Sequence, residues 1–300
     1  MSSKPALWVR ASRAPFLSAS LVPVLLGAFA AFWRDGSFSA WRLALTLAGI
    51  ACVHLGANLA NDYYDYKTGC DSENPEPTPF SGGSRVIQDG LISSGAIIGA
   101  SAALSAVGAA IGLYLNSLVP GNGVIMLALA GIAGGFLYTA VPVNLSYRGL
   151  GEAVVFFCFG PLLVAGSYMV QAGRLDLWAL AVSIPAGLLV LAILLVNEVL
   201  DVEWDGRAGK NTVVVWLGRE RGYMLFLTAY TAAYVWIGLG IFLKVYQPIA
   251  SVSAVPLLFA TRRLAPGRAL GNRPGTIEAS RVTILSQAFT ILLLSLSYLV

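Results

Sequence analysis

Asn61-Asp62-Tyr63-Tyr64-Asp65 closes an apolar run that begins near residue 42, and Asn197-Glu198-Val199-Leu200-Asp201 closes another that begins near residue 177. Both segments read Asn, acid, two spacers, Asp, and both open into a charged connection. In a helix Asn61 and Asp65 stand four residues apart and share a face, as do Asn197, Asp201 and Asp205 on consecutive turns. Acids crowded on one face repel one another unless a cation lies between them, and hard oxygen donors of this kind suit Mg²⁺. Acids at a C-terminal helix end also face an unfavourable dipole, so local structure gives no reason for them.

The surrounding chain makes these clusters exceptional. It is 57% hydrophobic and 11% charged, with a mean hydropathy of +0.74, where a soluble domain has about a quarter of its residues charged. The apolar residues come in runs of roughly 18–24, the length that crosses ~30 Å of hydrocarbon as a helix. The short alternating segments of a β-barrel are absent. The fold class is therefore all-α, a polytopic membrane protein. Nine spans are expected at about 15–33, 42–64, 93–115, 123–141, 150–171, 177–198, 223–243, 247–261 and 279–299. No cleavable signal peptide is expected, since the first apolar run lacks a small-residue cleavage site. Cys52, Cys70 and Cys158 have no paired spacing, which argues against a structural disulfide or a zinc site.

An odd number of spans puts the termini on opposite sides. Of 19 Lys and Arg residues, only Arg34, Arg42, Arg174 and Lys244 fall on one side, which by the positive-inside rule is the outer one. The N-terminus is thus expected in the cytoplasm. The net charge of +4 is a topology signal and no indication of nucleic acid, because the basic residues sit in loops between spans. Of 15 acids, only Asp35 and Asp176 fall outside. Acids contribute little to orientation, so this bias reads as chemistry at the cytoplasmic face.

Residues 1–300 read as one domain with two long connections, about 65–92 and 202–222. The first carries Pro75, Pro77, Pro79 and the Ser81-Gly82-Gly83-Ser84 turn, so an irregular loop is expected, with room for a short helix. Span three is rich in small residues, with Gly95, Gly99, Gly108 and Gly112, as expected of helices packed closely in lipid.

Ionisable groups at the edge of a membrane are functional candidates because burying them is expensive. The first cluster comprises Asn58, Asn61, Asp62 and Asp65, extended by Asp71, Glu73 and Glu76; the second comprises Asn197, Glu198, Asp201, Glu203 and Asp205. Cations fit for phosphate lie around them: Lys67, Arg85, Arg148, Arg207 and Lys210. Taken singly each is also explained by the positive-inside rule, and Arg85 and Lys210 rise above it because each shares a loop with an acid cluster. The segment Gly206-Arg207-Ala208-Gly209-Lys210-Asn211-Thr212 is no Walker A loop, since Trp204 occupies the first glycine position and Asn211 separates Lys210 from Thr212. His54, one turn before Asn58, reads as cavity lining rather than a base. Tyr63, Tyr64, Tyr138, Tyr147 and Tyr168 could line an apolar tunnel, although many interfacial tyrosines are only membrane anchors.

Acids on two helices that bind Mg²⁺, cations that bind a diphosphate and a membrane that accepts an apolar tail together describe a lipid diphosphate substrate. Metal and cations stabilise a leaving diphosphate, and an aromatic-lined apolar cavity shields an allyl cation from water.

At this point the chain resembles the UbiA superfamily of membrane prenyltransferases. The superfamily's first aspartate motif, Asn-x-x-x-Asp-x-x-x-Asp, matches Asn61 and Asp65, and its second, Asp-x-x-x-Asp, matches Asp201 and Asp205. Position 69 is Gly and the third acid comes at Asp71 instead. That form resembles the branch that prenylates 1,4-dihydroxy-2-naphthoate in menaquinone synthesis, as do Tyr147-Arg148-Gly149-Leu150-Gly151-Glu152, Phe159-Gly160-Pro161 and Ala208-Gly209-Lys210-Asn211-Thr212. The resemblance implies nine helices around a central cavity with cytoplasmic caps, and Mg²⁺-dependent transfer of a polyprenyl group from its diphosphate to an aromatic acceptor, with loss of CO₂ in the naphthoate branch. It implies metal ligands at Asn61, Asp65, Asp71, Asp201 and Asp205. Catalytic acids are expected at Asp62, Asp65 and Asp201, and substrate contacts at Asn58, Asn61, Lys67, Arg85, Tyr138, Arg148, Asn197 and Lys210. The expected setting is a bacterial or archaeal cytoplasmic membrane, with lipid around the protein and the active site facing the cytoplasm.

Three other readings compete. Transfer to a different aromatic or lipid acceptor uses the same donor site. A secondary transporter would place its acids near the midplane on broken helices, whereas these lie at one edge. A CDP-alcohol phosphotransferase needs an Asp-Gly-x-x-Ala-Arg signature that Asp205-Gly206-Arg207-Ala208 does not provide.

Overall fold

A computed structural model describes residues 3–300, apart from the side chains of Ser72 and Glu73, so the expected contribution of Glu73 to the first acid cluster lies outside the described residues. Every regular element among them is helical. The first are α1 (Lys4–Ala11), α2 (Ser18–Asp35), α3 (Ala40–Thr68) and the single turn α4 (Cys70–Glu73). After the 74–93 connection come α5 (Ser94–Ser117) and α6 (Gly123–Thr139). Next, α7 (Gly151–Phe157) passes through a widened turn at Cys158–Leu162, which accommodates Pro161, into α8 (Leu163–Ala172). The chain continues with α9 (Leu177–Arg207), α10 (Val213–Leu217), α11 (Arg219–Phe242), α12 (Val255–Ala260), α13 (Pro266–Ala269) and α14 (Arg273–Leu296).

Seven helical stretches among the described residues are long and apolar enough to cross a membrane. Two shorter apolar ones, Gly123–Thr139 and Pro248–Ala260, stand where spans four and eight were expected. The helix ends follow local chemistry. Ser39 accepts the Arg42 N–H at the start of α3, Asp176 accepts the Trp178 N–H at the start of α9, and Asn272 accepts the Gly275 N–H at the start of α14. The two acid-bearing helices outrun their expected ends. α3 continues to Thr68 and stops at Gly69, and α9 continues to Arg207, so residues 202–207 are helix rather than connection. A helix satisfies its own backbone whatever the side chains, so charge alone does not end it. Asn197, Glu198, Asp201 and Asp205 therefore ride on one rigid element, and only residues 208–212 link it to α10.

α9 is the central post, packed by α2, α7, α8, α11 and α14, while α3, α5 and α6 form the opposite wall. α2 approaches α8 so closely that a Cβ at Gly27 would collide with the Val164 carbonyl. Along the α3–α5 contact the same holds of Gly108 against Val53 and the Gly49 carbonyl. Gly95 and Gly99, expected to serve the same packing, face open space. At the end of α9 away from its acids, Arg34 pairs with Asp176 at 2.9 Å and Arg174 with Asp35 at 2.8 Å, tying α2 to the α8–α9 corner. Four residues that charge counting sorted to one side thus meet in space.

Candidate active site

The walls enclose a cavity of about 390 Å³ lined by α2, α3, α5, α6, α7, α8, α9 and the connection after α4. Its long flank is apolar, with Ile50, Val53, Ile111, Leu115, Leu127 and Val170, whereas Asn61, Asp65, Asp71, Asn74, Asp201, Asp205 and Lys210 collect at one end. One space therefore offers a charged head site and an oily extension. Its small-residue wall, including Gly49, Gly108, Gly112 and Gly131, leaves room where side chains would otherwise fill the bundle.

At the polar end the two helix ends face one another. Asp65 is buried, takes a hydrogen bond from Asn61 Nδ2 at 3.1 Å and lies 3.4 Å from the Tyr147 hydroxyl. Across the cavity, Asp201 accepts from Asn74 Nδ2 at 2.9 Å, and Asp205 sits 3.5 Å from Lys210 Nζ and 3.6 Å from the Cys70 thiol. Three buried oxygens here have no donor among the described residues: Asp71 Oδ2, Asp205 Oδ2 and Asn197 Oδ1. Among the described residues no three acids or thiols converge on a single point. The carboxylates Asp65, Asp71, Asp201 and Asp205 outnumber the cations Arg13 and Lys210 that line the same space.

Electrostatics follow from that imbalance. Burial, and then the Asp65 carboxylate, pushes Asp71 up to about 7. Burial alone would lower the Lys210 ammonium, but Asp205 and Asp65 overcome it and hold Lys210 well above its ordinary value. Arg13 is raised in the same way, against burial, by Asp62, Asp71 and Asp65.

A cover formed by the 74–85 connection lies over this end. Asn74 holds Asp201, and the Ser84 N–H donates to Asp62 at 3.0 Å, with the Ser84 hydroxyl on the same carboxylate. Between them the chain turns through Gly82 and Gly83, both at positive φ. Gly83 lies directly on the Asp71 carboxylate, where a Cβ would collide. Gly83→Ala is expected to lift the cover from Asp71 while leaving the bundle intact. The left-handed backbone alone costs a residue with Cβ about 1–2 kcal/mol, which as lost transition-state binding is a roughly tenfold fall in rate. The check is turnover measured beside the unfolding temperature in detergent; unchanged turnover would deny the cover any role.

The expected site residues divide. Asn58, Asn61, Asp65, Asp71, Tyr138, Asn197, Asp201, Asp205 and Lys210 all line the cavity. Asp62, Lys67, Arg85 and Arg148 are absent from its lining. Asp62, on the next face of α3, is spent on Ser84 and on Arg13 Nη2 at 3.1 Å. Arg85 donates to the carbonyls of Asp71 and Asn74 and so braces the cover. The Lys67 ammonium lies 5.7 Å from the Tyr63 ring, and exposed Arg148 donates to the Pro142 carbonyl. His54 lines the cavity as expected, 2.7 Å from the Ser20 hydroxyl. Sequence reading missed Arg13 and Asn74 as site residues. Each meets its acid from 49 and 127 positions away, a separation that no local spacing encodes.

Comparison with known proteins agrees with this geometry. Residues 20–270 match the profile of the UbiA prenyltransferase family. A 1,4-dihydroxy-2-naphthoate octaprenyltransferase of Mycobacterium tuberculosis is 33% identical over 88% of this chain and 86% of its own length. The Bacillus subtilis protein of that name is 30% identical over 77% and 72%. Among solved structures, a UbiA homologue from Archaeoglobus fulgidus bound to GPP and Mg²⁺ superposes with a TM-score of 0.63, at 15% identity over 96% of this chain and 99% of that one. The chain belongs to the UbiA prenyltransferase family and is a membrane-embedded prenyltransferase.

Proposed function

We propose that this protein transfers a polyprenyl group from its diphosphate to 1,4-dihydroxy-2-naphthoate, with loss of the acceptor's carboxylate as CO₂. The observation that carries the donor half is the shape of the cavity: buried acids and Lys210 at one end, an apolar flank beyond. The similarity to two naphthoate octaprenyltransferases supports the acceptor. Transport and CDP-alcohol chemistry are set aside with the family.

Mg²⁺ is implied by the family and by the A. fulgidus homologue. The residues fit it in kind. Orphaned buried oxygens on Asp71 and Asp205, among more carboxylates than cations, are hard donors that need a positive partner. Asn61, Asp65, Asp71, Asp201 and Asp205 would hold it. When bound, the metal neutralises charge on the departing diphosphate.

The remaining work belongs to the chain itself. Lys210 and Arg13 are the cations that meet the diphosphate, and Asn58, Asn61 and Asn197 offer amide groups to the reactants around them. The apolar flank takes the polyprenyl tail and, with the cover, keeps water from the ionised allyl group, which the Tyr138 ring is placed to stabilise. Asp62 serves by holding Ser84 and Arg13 rather than by touching substrate. Lys67 and Arg148 remain loop cations that orient the chain in the membrane.

The whole chain acts as one domain of nine membrane segments, with the segments around Gly123–Thr139 and Pro248–Ala260 completing the seven longer ones. Its N-terminus and active site face the cytoplasm of a bacterial or archaeal cell, and the 65–92 and 202–222 regions form the caps.

Purified protein in detergent, with Mg²⁺, a labelled polyprenyl diphosphate and a panel of acceptors including 1,4-dihydroxy-2-naphthoate, tests this. Prenylated naphthol with release of CO₂, lost on addition of EDTA, is expected. Diphosphate release without naphthoate product would move the acceptor assignment elsewhere, and no Mg²⁺-dependent consumption of the donor would overturn the reading.

A further inference from the structure

Two buried acids take no part in the account above. Glu198 is 6% exposed and Glu152 is 8% exposed. Glu152 Oε1 accepts the Val213 N–H at 2.6 Å. Neither Glu152 Oε2 nor Glu198 Oε2 has a donor. Glu198 lines the cavity, whereas Glu152 stands behind it, anchored to the first turn of α10.

The placement along α9 is informative. Glu198 precedes Asp201 by three residues, about 4.5 Å of helix rise, so it lies just deeper in the membrane than the acids at the head site. Asn197, the neighbour of Glu198 on α9, lines the cavity with its own orphaned Oδ1, and Tyr138 lines the same cavity. A donor whose diphosphate sits among Asp65, Asp201 and Lys210 presents its first carbon at this depth. The acceptor ring has to arrive there too. A buried carboxyl with an unpartnered oxygen in the cavity wall is costly unless a donor group reaches it.

We propose that Glu198 receives the hydroxyl of the acceptor ring. This rests on the prenyl-transfer reading and adds to it the group that handles the acceptor's proton. As the ring carbon bonds to the first carbon of the donor, the hydroxyl proton passes to Glu198 Oε2. The O–H pair becomes the second bond of the dienone C=O, the ring C=C pair forms the new C–C bond, and the C–O pair of the donor leaves with the diphosphate. Loss of CO₂ from the attacked carbon then returns its bonding pair to the ring, and the proton goes back from Glu198 to the oxygen. Charge balances without a further reagent. The preferred acceptor is therefore an aromatic ring carrying a free hydroxyl beside the carbon attacked.

The test uses the full chain in detergent with a labelled polyprenyl diphosphate for turnover, an unreactive prenyl thiodiphosphate for binding, and two acceptors, a hydroxynaphthoate and its methyl ether. Glu198→Gln is expected to lower kcat/KM for the free hydroxyl by about 100-fold, the lower range for loss of a general base. Binding of the thiodiphosphate should stay within threefold, and Glu198→Asp should recover part of the rate. Retention of more than a third of kcat/KM by Glu198→Gln, or a parallel loss of thiodiphosphate binding, would overturn the assignment. If Glu198→Gln fails to fold, the wild type decides, since equal rates for the free hydroxyl and the ether would also overturn it. Absence of thiodiphosphate binding by wild type would instead refute prenyl transfer itself.

Discussion

Asp65→Asn is expected to lower turnover by about 10²–10³-fold, the scale on which one lost stabiliser of transition-state charge is felt, with no loss of folded protein. Asparagine keeps the shape of the side chain and the acceptor oxygen that meets Asn61 or Tyr147. What disappears is one negative charge from the five carboxylates that line the cavity, Asp65, Asp71, Glu198, Asp201 and Asp205, against the two lining cations Arg13 and Lys210. In the absence of metal that removes repulsion, so the unfolding temperature in detergent should stay level or rise. With Mg²⁺ the rate should remain low even at ion concentrations that saturate the wild type. A variant that turns over within threefold of wild type would remove Asp65 from the metal site, and one that melts early would make the residue structural.

Arg13→Gln should produce the largest loss of stability. The Asp62 side chain is 2% exposed and Arg13 is its only ion-pair partner among the described residues. Removing one member of a buried pair costs about 3–5 kcal/mol because the other charge stays buried; Arg13 is itself 29% exposed, which argues for the lower end. The Ser84 hydrogen bonds remain and cannot neutralise the charge. Faster irreversible heat unfolding is expected, together with proteolysis within residues 74–85. Asp62→Asn combined with Arg13→Gln should restore most of the lost lifetime, because no uncompensated charge is left. Equal lifetimes for wild type and Arg13→Gln would refute the pairing.

Much of the site was legible from spacing. Asn61 with Asp65, and Asn197 with Asp201 and Asp205, lie on common helix faces by simple arithmetic, and a chain so poor in charge makes their clustering conspicuous. Hydropathy likewise located the long helices, missing chiefly the last nine residues of α9 and the first six of α14. Cations were harder to read. Lys67, Arg85 and Arg148 lie near the acid clusters in the chain, but whether a long side chain turns inward or braces a carbonyl depends on the path of the loop. Arg13 reads as one more cytoplasmic charge until the N-terminal segment is seen against α3. The reach of α9 past the apolar run was invisible for a related reason, since hydropathy reports where lipid ends and says nothing of where backbone hydrogen bonding ends.

The cover is also held from its far side. Arg273, at the start of α14, pairs with Glu76 at 3.4 Å, in an exposed contact of the kind worth about 1 kcal/mol or less. α14 contributes nothing to the cavity lining, and both Arg13 and Arg273 stand outside residues 20–270, the stretch by which the family is recognised. Part of what fastens the lid is thus written outside the stretch that marks the family. Asp62 and Asp201 hold the two ends of the lid and the Glu76 contact is the slight one. The rate at which the lid opens becomes a property that a change at Arg273 can adjust while the chemistry within stays untouched.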